Sequence, residues 1–480
     1  MLNPKNNAAF TRMEVLTAVA RSYLRDKLQN IDNLPNILVP PETKAKRGSL
    51  QLDRQIIKEQ CLAALGYTPC NEDINISLAD IAQRALQRLK PEVATVSVMP
   101  SACAACTKLR YTVTDMCRTC YARPCEVNCP KKAITVTDKA HINQENCIKC
   151  GICYNNCPYS AINKAPLPCE NACPVNALTK DENGFEHIDY NKCISCGKCL
   201  LSCPFGAIIH NSQIIDVLRA IDNKQKKTVA MLAPAVIGQF GNDIGKVITA
   251  FKKLGFDEVV EVAQGADVTT ATEAAEFIER MSEGEKFMTT SCCPAWVNAV
   301  EKHIPEIKPY VSNSGSPMYY IAEIVKKQYP DCIAVFIGPC LAKRIEAERN
   351  PNVDYVLIFE EAQAMLSAAE INVNMLEAEQ FAVTSSAQGR RYPISGGVAG
   401  AVGFVVGEKA EYKPERIDGL NPEMIKKLKR YATAAPADIN MVEVMCCEGG
   451  CIAGPGTTCM PKKATVMVEN YVKNSPDIEK

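Results

Sequence analysis

Cysteine spacing constrains this chain more than any other feature. Sixteen of its 26 cysteines fall between positions 103 and 203 of a 480-residue sequence. Disulfide frameworks of that density belong to short secreted domains, whereas in a long chain such spacing is typical of metal ligation. Buried free thiols account for isolated cysteines such as Cys61 and Cys70, which lack ligand spacing, but not for the whole block. Residues 99–212 are therefore predicted to form a metal-binding domain.

The cysteine block contains an internal repeat in which each run ends in Cys-Pro. The runs are Cys117-x2-Cys120-x4-Cys125-x3-Cys129, Cys147-x2-Cys150-x2-Cys153-x3-Cys157, Cys169-x3-Cys173 and Cys193-x2-Cys196-x2-Cys199-x3-Cys203. This pattern resembles bacterial two-cluster ferredoxins, in which the fourth cysteine of a run ligates the other 4Fe-4S cubane. Zinc also binds Cys-x2-Cys pairs, but zinc sites rarely repeat the full four-cysteine run twice.

The ferredoxin resemblance implies how the cysteines would be shared. The first two runs form one ferredoxin unit. The last two runs form a second unit that lacks its first Cys-x2-Cys pair, which Cys103 and Cys106 could supply. The first unit would then be inserted within the second. Four cubanes would then be held by Cys117, Cys120, Cys125 and Cys157; Cys147, Cys150, Cys153 and Cys129; Cys193, Cys196, Cys199 and Cys173; and Cys103, Cys106, Cys169 and Cys203. A competing interpretation has only two cubanes, at 147–157 and 193–203. Either arrangement predicts electron transfer, because cubanes in series are one-electron carriers.

The rest of the chain divides by its hydrophobic pattern. Residues 1–98 are predicted to be helical, with amphipathic segments at 13–21 and 77–86, and no chemistry is assigned to them. From about residue 213, strand-like runs such as 228–232 and 258–262 alternate with helical runs, which is typical of parallel sheets. The expected domains are 1–98, 99–212 with two to four 4Fe-4S clusters, 213–460, and a C-terminal tail at 461–480.

Three cysteine loops in the last large domain each follow a short apolar run. They contain Cys293, Cys340, and the pair Cys447 and Cys451. Loops at strand ends are where α/β folds usually place their chemistry. Four thiolates brought together by these loops favour an iron–sulfur cluster or zinc.

The same loops, at 290–296, 337–344 and 443–451, resemble in order the three signature motifs of the iron-iron (FeFe) hydrogenases. The resemblance covers the last half of the chain and implies an α+β ferredoxin-like iron–sulfur domain followed by a two-lobed α/β catalytic domain. The family's active centre, the H-cluster, is a 4Fe-4S cubane joined through one cysteine to a diiron unit with CO, cyanide and a dithiolate amine. By motif position, Cys293, Cys340 and Cys447 would hold the cubane and Cys451 would bridge the two parts.

The resemblance also implies roles for residues that are not cluster ligands. Cys292 would exchange a proton with the bridging amine, and Lys343 would donate to a cyanide ligand. A proton relay is implied for Glu273, Glu276 and Ser312, with the two glutamates on one face of a helix. Pro234 and Met445 would line the pocket around the centre. The alternatives are ordinary ones: exposed helix glutamates, a solvated lysine, a filler thiol and core packing by the proline and methionine.

Several positions depart from the usual family pattern. Gly338 stands where a methionine precedes Pro-Cys, Met318 stands where a glutamine follows Ser-Pro, and Cys446 stands where a small apolar residue is usual. The glycine-rich sequence after Cys451 is also absent. These features resemble the branch called group B.

The expected function is the reversible reduction of protons to hydrogen, with electrons from a ferredoxin-like carrier and a diiron unit supplied by maturation proteins. The alternatives are a Nar1-like iron–sulfur assembly protein without a diiron site, and a hydrogen sensor. Lys and Arg balance Asp and Glu at 54 each, which indicates neither nucleic acid nor membrane as a partner. No signal-peptide core or bilayer-length apolar run is evident, so a cytoplasmic location is expected.

Overall fold

The computed structural model describes residues 6–69, 76–92, 94–104, 106, 110–165, 167–241 and 243–479. Cys70 lies outside the described residues. The N-terminal region is helical, with α1 (Asn7–Leu24), α2 (Leu34–Leu38), α3 (Leu50–Ala64) and α4 (Leu78–Gln87). The Ser77 hydroxyl accepts the Ala79 N–H at 3.1 Å and so caps α4. Both helices expected in this region are confirmed.

The cysteine block consists of short strands and single-turn helices. They are β1 (Val96–Val98), α5 (Pro100–Cys103), β2 (Tyr111–Val113), α6 (Pro124–Val127), β3 (Ile134–Val136), β4 (Ala140–Ile142), α7 (Ile152–Asn156), β5 (Ile162–Lys164), α8 (Pro168–Ala172), β6 (Leu178–Lys180), β7 (Glu186–Ile188), α9 (Lys198–Ser202) and β8 (Ile208–His210). Strand β2 pairs with β5, and β1 pairs with β8, both antiparallel. One unit, bounded by β2 and β5, thus lies in sequence inside another, bounded by β1 and β8.

The remaining chain is an α/β domain. Its helices are α10 (Ile214–Asp222), α11 (Ile244–Leu254), α12 (Ala263–Ser282), α13 (Pro294–His303), α14 (Pro317–Gln328), α15 (Lys343–Arg349), α16 (Phe359–Ala368), α17 (Ala387–Arg391), α18 (Gly397–Val406), α19 (Pro422–Thr433) and α20 (Pro461–Val472). Its strands are β9 (Thr228–Leu232), β10 (Glu258–Glu261), β11 (Met288–Thr289), β12 (Ile333–Gly338), β13 (Tyr355–Ile358), β14 (Pro414–Asp418) and β15 (Met441–Met445). In the described part of the chain, no helix is both long and apolar enough to cross a bilayer.

The strands of this domain form two parallel sheets, in the orders β10-β9-β12-β13 and β11-β15-β14. All five residues of β9 and of β15 are buried. Helices cover both faces of a parallel sheet, so its central strands are apolar along their whole length. This arrangement aligns the carboxyl ends of β11 and β15, where two of the cysteine loops begin.

The N-terminal helices pack directly on the α/β domain. Helix α1 lies along α16, and Arg12 pairs with Glu360 there at 2.9 Å. Both side chains are buried at this contact. The N-terminal region is therefore part of the shared core and not a detached unit.

The C-terminal segment at 461–480, expected to be a tail, contains a packed helix. Ala464 and Val468 in α20 are fully buried, and the Arg390 guanidinium lies 4.5 Å from the centre of the Tyr471 ring. The expectation was wrong because two small apolar residues four apart are enough to give a helix a buried face. Beyond α20, the Ser475 hydroxyl accepts from Arg390 at 2.8 Å.

Candidate metal centre

Three loops bring four cysteines to one cavity. Cys293 follows β11, Cys447 and Cys451 follow the adjacent parallel strand β15, and Cys340 follows β12 of the other sheet. All four line a single cavity. Its lining is otherwise mostly apolar.

The four thiols share an environment that opposes unpaired negative charge. Burial raises the pKa of Cys340 to about 12, and the neighbouring Cys293 adds to this rise. Burial likewise raises the pKa of Cys293, Cys447 and Cys451 above that of a free thiol. Thiolates are the metal-binding form, and they can form together here only if a cationic group compensates them. The donor set therefore fits a metal cluster.

The four cysteines are a donor set that more than one metal centre could use. Among the described residues, no three His, Cys, Asp or Glu side chains stand close enough to hold one metal ion. Four thiolates are the ligands of a 4Fe-4S cubane, and they also occur in structural zinc sites.

Cys292 lies beside the four thiols but has a different neighbour. Its side chain is 8% exposed and lines the same cavity. Burial raises the pKa of Cys292 well above its ordinary value, and the nearby Glu273 raises it further. Glu273 is itself fully buried, and burial raises its pKa to about 8. Both groups are therefore protonated at neutral pH, and both can carry a proton.

A chain of polar groups continues from Glu273 toward the surface. The Ser291 N–H donates to Glu273 Oε1 at 3.4 Å, whereas Glu273 Oε2 has no hydrogen-bond partner among the described residues. One turn along α12, Glu276 accepts from the Ser312 hydroxyl at 2.7 Å. Ser312 also counters part of the rise in the pKa of Glu273. The order from the cavity outward is Cys292, Glu273, Ser312 and Glu276.

Glu276 differs from Glu273 in its charge. Burial opposes its ionisation, but the Asn313 N–H, the Ser312 hydroxyl and Arg280 outweigh burial and lower the pKa of Glu276. Arg280 Nη2 donates to Glu276 Oε1 at 2.6 Å. A surface cleft lined by Ser312 and Asn313 opens at this end of the chain of groups. Glu273 and Glu276 share one face of α12, as expected. Glu273 lies at the buried end of that face, and Glu276 lies at the end beside the surface cleft.

Lys343 is buried against the cavity and is not a solvated surface lysine. Its Nζ donates to Ser316 Oγ and to Glu346 Oε2, both at 2.7 Å. Burial acts against the charged form, but the Glu346 carboxylate outweighs it and raises the pKa of Lys343. Ser316 and Glu346 were not identified from the sequence. The three-residue spacing of Lys343 and Glu346 within α15 was the signal available for the pair.

Pro234 and Met445 both line the cavity. So do Met318 and Cys446, two of the positions that depart from the usual family pattern. Tyr392 also lines it and was not singled out from the sequence. Its hydroxyl and that of Thr270 are 2.7 Å apart, and the ring is 5% exposed. The third departing position, Gly338, does not line the cavity, although a Cβ there would lie 2.4 Å from the Phe336 ring that does.

Four equivalent turns organise the cysteine block. Each Cys-Pro is followed by an alanine whose N–H donates to the cysteine sulfur, at distances of 3.2 to 3.3 Å, for Cys129, Cys157, Cys173 and Cys203. The residue before each alanine has positive φ, and it is Lys132, Ser160, Asn176 or Gly206. The repeated sequence Cys-Pro-x-x-Ala is the signal from which these four turns could have been predicted. It makes the four runs structurally equivalent.

The inner unit groups its cysteines in two sets. Cys129, Cys147, Cys150 and Cys153 line one small cavity. Burial raises the pKa of Cys125, and the cysteines that add to this rise are Cys120 and Cys157. Cys117 packs on a small core that contains cysteines of both sets.

The outer unit also groups its cysteines in two sets. Burial raises the pKa of Cys169 to about 12, with contributions from nearby Glu186, Cys203 and Cys106, and Cys103 lies near Cys106. Cys199 lies near Cys193, Cys196 and Cys173. Cys196 is distinctive because it also lines the large cavity beside Cys447.

Comparison with protein families gives three matches. Residues 226–455 match the family described as iron only hydrogenase large subunit, C-terminal domain. Residues 163–214 match the LdpA Fe-S cluster-binding domain, and residues 139–162 match a 4Fe-4S binding domain. The family matches therefore follow the division between the cysteine block and the α/β domain.

Similar proteins include hydrogenases and an assembly factor. Iron hydrogenase 1 of Clostridium pasteurianum is 29% identical over 66% of this chain and 64% of its own length. The NADP-reducing hydrogenase subunit HndD of Solidesulfovibrio fructosivorans is 28% identical over 52% of this chain and 53% of its own length. A protein of Nematostella vectensis, named as a probable cytosolic Fe-S cluster assembly factor, is 28% identical over 31% of this chain and 38% of its own length. The chain thus spans less than two thirds of both hydrogenases.

Solved structures of FeFe-hydrogenases also align with the chain. One of HydA1 from Chlamydomonas reinhardtii has a TM-score of 0.45 and 20% identity, covering 56% of this chain and 90% of that one.

Proposed function

We propose, on the premise that residues 226–455 match the family described as iron only hydrogenase large subunit, C-terminal domain, that this protein interconverts protons and electrons with molecular hydrogen. The observation that carries the proposal is the position of Cys292, a buried thiol beside both the four-cysteine cavity and Glu273. A protein that only binds or transfers a cubane does not need a protonated thiol there. Proton chemistry does.

Cys293, Cys340, Cys447 and Cys451 are the proposed ligands of the H-cluster. When bound, the diiron part of this cluster supplies an open metal position at which protons and electrons combine. The four thiols and the largely apolar lining of the cavity support this assignment. Apolar walls exclude water, which strengthens every electrostatic interaction within the site.

Lys343 is proposed to bind the anionic part of that cluster. Among the described cavity-lining residues it is the one with a cationic side chain. Its ammonium is held by Ser316 and Glu346, so its position is fixed before any group binds. Pro234 and Met445 are proposed to shape the cavity wall beside it.

Protons are proposed to pass between the surface and Cys292 through Glu276, Ser312 and Glu273. Ser312 can accept a proton on its oxygen while donating its own, which joins the two carboxyl groups. Glu273 is proposed to take the proton on its unpartnered Oε2 and pass it to or from the Cys292 thiol. Arg280 keeps Glu276 charged and oriented at the outer end.

Electrons are proposed to arrive through four 4Fe-4S cubanes in the cysteine block. The four equivalent Cys-Pro-x-x-Ala turns support four ligand sets over two. The groupings in the inner and outer units support the sets inferred from the ferredoxin resemblance. The set with Cys196 would stand next to the catalytic cavity.

The electron partner is proposed to be an acidic, ferredoxin-like carrier that docks on the inner unit. That unit exposes large apolar side chains close to its cysteines, namely Met116, Tyr121, Val127, Ile148, Tyr154 and Tyr159. Exposed cations accompany them at Arg118, Arg123, Lys131, Lys132 and Lys149. Exposed acidic residues also occur in this unit, at Asp115, Asp138 and Glu145, but the exposed cations outnumber them. An apolar patch with an excess of one sign of charge is typical of a site for a partner of the opposite sign. Maturation proteins are proposed as further partners, because the diiron unit has to be delivered.

The function is tested by loading the protein in vitro. Protein with reconstituted cubanes is incubated with a synthetic diiron complex, and hydrogen evolution from reduced methyl viologen is measured under anaerobic conditions. The proposal predicts hydrogen evolution from loaded protein only, and none from Cys451→Ala. Protein that keeps its cubanes but retains no diiron iron after loading, and neither evolves nor consumes hydrogen, would favour a role as an assembly factor, which the similarity to the Nematostella protein raises.

A further inference from the structure

Cys446 lies between the two kinds of metal centre proposed for this chain. It follows β15 directly and precedes Cys447, and its side chain is 2% exposed. It lines the catalytic cavity together with Cys196, which belongs to the cysteine block. Neither the family match nor the proposed ligand sets assign it a role.

The two sides of Cys446 face different centres. Its thiol lies within hydrogen-bonding reach of the Cys196 thiol, and the two side chains pack in one core cluster. Its backbone N–H lies within hydrogen-bonding reach of the Cys293 thiol. One residue therefore contacts a proposed ligand of an accessory cubane and a proposed ligand of the H-cluster.

The loop that carries Cys196 is held firmly against the α/β domain. Lys198 Nζ donates to the Leu420 carbonyl, and Lys302 Nζ donates to the Cys193 carbonyl at 2.7 Å. A Cβ at Gly197 would lie 2.8 Å from Pro455. These contacts hold the Cys196 loop against the α/β domain, which also carries Cys446 at the end of β15.

We propose that Cys446 is a positioning residue that donates its S–H to the Cys196 sulfur and so raises the reduction potential of the accessory cubane nearest the catalytic cavity. The inference rests on the proposed function for the assignment of Cys196 as a cluster ligand. As a metal-bound thiolate, Cys196 can only accept a hydrogen bond, and the thiol of a cysteine that is not a ligand is a donor group beside it.

The direction of the effect follows from charge. Reduction adds one negative charge to a cubane and its thiolates. A donor at a ligand sulfur stabilises the more negative state, because hydrogen bonds to sulfur are among the factors that set cubane potentials. A higher potential at this cubane would keep electrons close to the catalytic cavity. Removing the donor should shift its potential downward and leave the other cubanes unchanged.

The test uses full-length protein with reconstituted cubanes and no diiron unit, so that hydrogen chemistry does not enter the readout. Reductive titrations followed by electron paramagnetic resonance give the potentials of the individual cubanes in the native protein, Cys446→Ala and Cys446→Ser. Cys61→Ala, which removes a buried thiol in α3, is the matched control. Iron and sulfide analysis confirms equal loading. If Cys446→Ala does not load fully, Cys446→Val takes its place, because it fills the volume without a donor.

The proposal predicts that one cubane shifts to lower potential in Cys446→Ala, that Cys446→Ser restores most of the native value, and that Cys61→Ala has no effect. Unchanged potentials in Cys446→Ala would overturn it, and so would equal shifts in the alanine and serine variants. Loss of the iron of one cubane in every Cys446 variant would make Cys446 a ligand, which also overturns it. A failed hydrogenase function would leave these potentials measurable, so the two failures are distinguishable.

Discussion

The Ser312 hydroxyl donates to Glu276 at 2.7 Å, one helical turn from the buried Glu273. The two carboxyl groups have opposite environments. Burial raises the pKa of Glu273 to about 8, whereas for Glu276 the Asn313 N–H, Ser312 and Arg280 outweigh burial and lower the pKa. Neighbouring groups with pKa values shifted apart are typical of an acid–base pair.

We therefore expect Glu273→Gln to lower hydrogen evolution by about 100-fold or more, which is a common loss for a positioned acid or base. Glutamine keeps the shape of the side chain but cannot give up and regain a proton. Glu279→Gln, at an exposed position of the same helix, is the control and should keep native activity. Equal activity in the two variants would remove Glu273 from the relay.

The pH dependence of proton reduction should follow Glu273. The carboxyl is protonated below its pKa of about 8 and loses its proton as the pH rises through that value. A relay that starts from the protonated acid should therefore slow above about pH 8. Rates measured between pH 6 and 10 with saturating reductant would show this fall. A rate that does not change across pH 8 would contradict the assigned role.

Much of this site could be predicted from the sequence, because ligand cysteines have short, fixed spacings. Cys293, Cys340, Cys447 and Cys451 come together at one cavity as expected. Contacts between distant segments were not predictable, because no local pattern encodes them. The pairing of Cys196 with Cys446, the cavity position of Tyr392 and the packing of α1 on α16 all depend on how whole elements dock. The C-terminal helix was missed because its buried face consists of only a few small apolar residues.

Lys343→Met should weaken retention of a diiron unit without unfolding the protein. The variant removes the cationic side chain of the described cavity lining. An anionic diiron unit bound in the cavity would then lose the positive charge that compensates it. Iron content after gel filtration of loaded protein measures the effect, and a several-fold loss is expected. Lys326→Met, which breaks a pair outside the cavity with Asp354, is the control. Equal retention in both variants would contradict the assignment.

Arg12→Met should destabilise the fold by about 3 kcal/mol, because it removes the guanidinium from the buried Glu360 carboxylate and leaves only the His210 imidazole, 3.8 Å away, beside it. The Arg12–Glu360 pair joins the N-terminal helices to the α/β domain at 2.9 Å, with both side chains less than 10% exposed. Arg25→Met removes an exposed pair with Glu370 at 2.7 Å and should cost less than about 1 kcal/mol. Unfolding in urea, followed by circular dichroism at pH 7, compares the two. Similar losses in both variants would mean that the buried pair has no special weight.

Charge reversal on the inner cluster unit should slow electron delivery. Lys131→Glu combined with Lys132→Glu should reduce the rate with an acidic ferredoxin about tenfold at low ionic strength, and less at high ionic strength. The adjacent exposed lysines of α20, changed as Lys462→Glu with Lys463→Glu, provide a control of equal charge. Stopped-flow mixing with the reduced carrier gives the rates. Equal rates in the two double variants would place the docking site elsewhere.

The most direct test of the central claim is infrared spectroscopy of anaerobic protein loaded with a diiron complex. We expect bands from iron-bound CO and cyanide, and a shift of those bands under hydrogen. Cys292→Ala should keep the bands but lose hydrogen turnover, because it removes the thiol beside Glu273 and leaves the four ligand cysteines in place. Protein that contains iron and sulfide for cubanes but shows no CO or cyanide bands after loading would contradict the account.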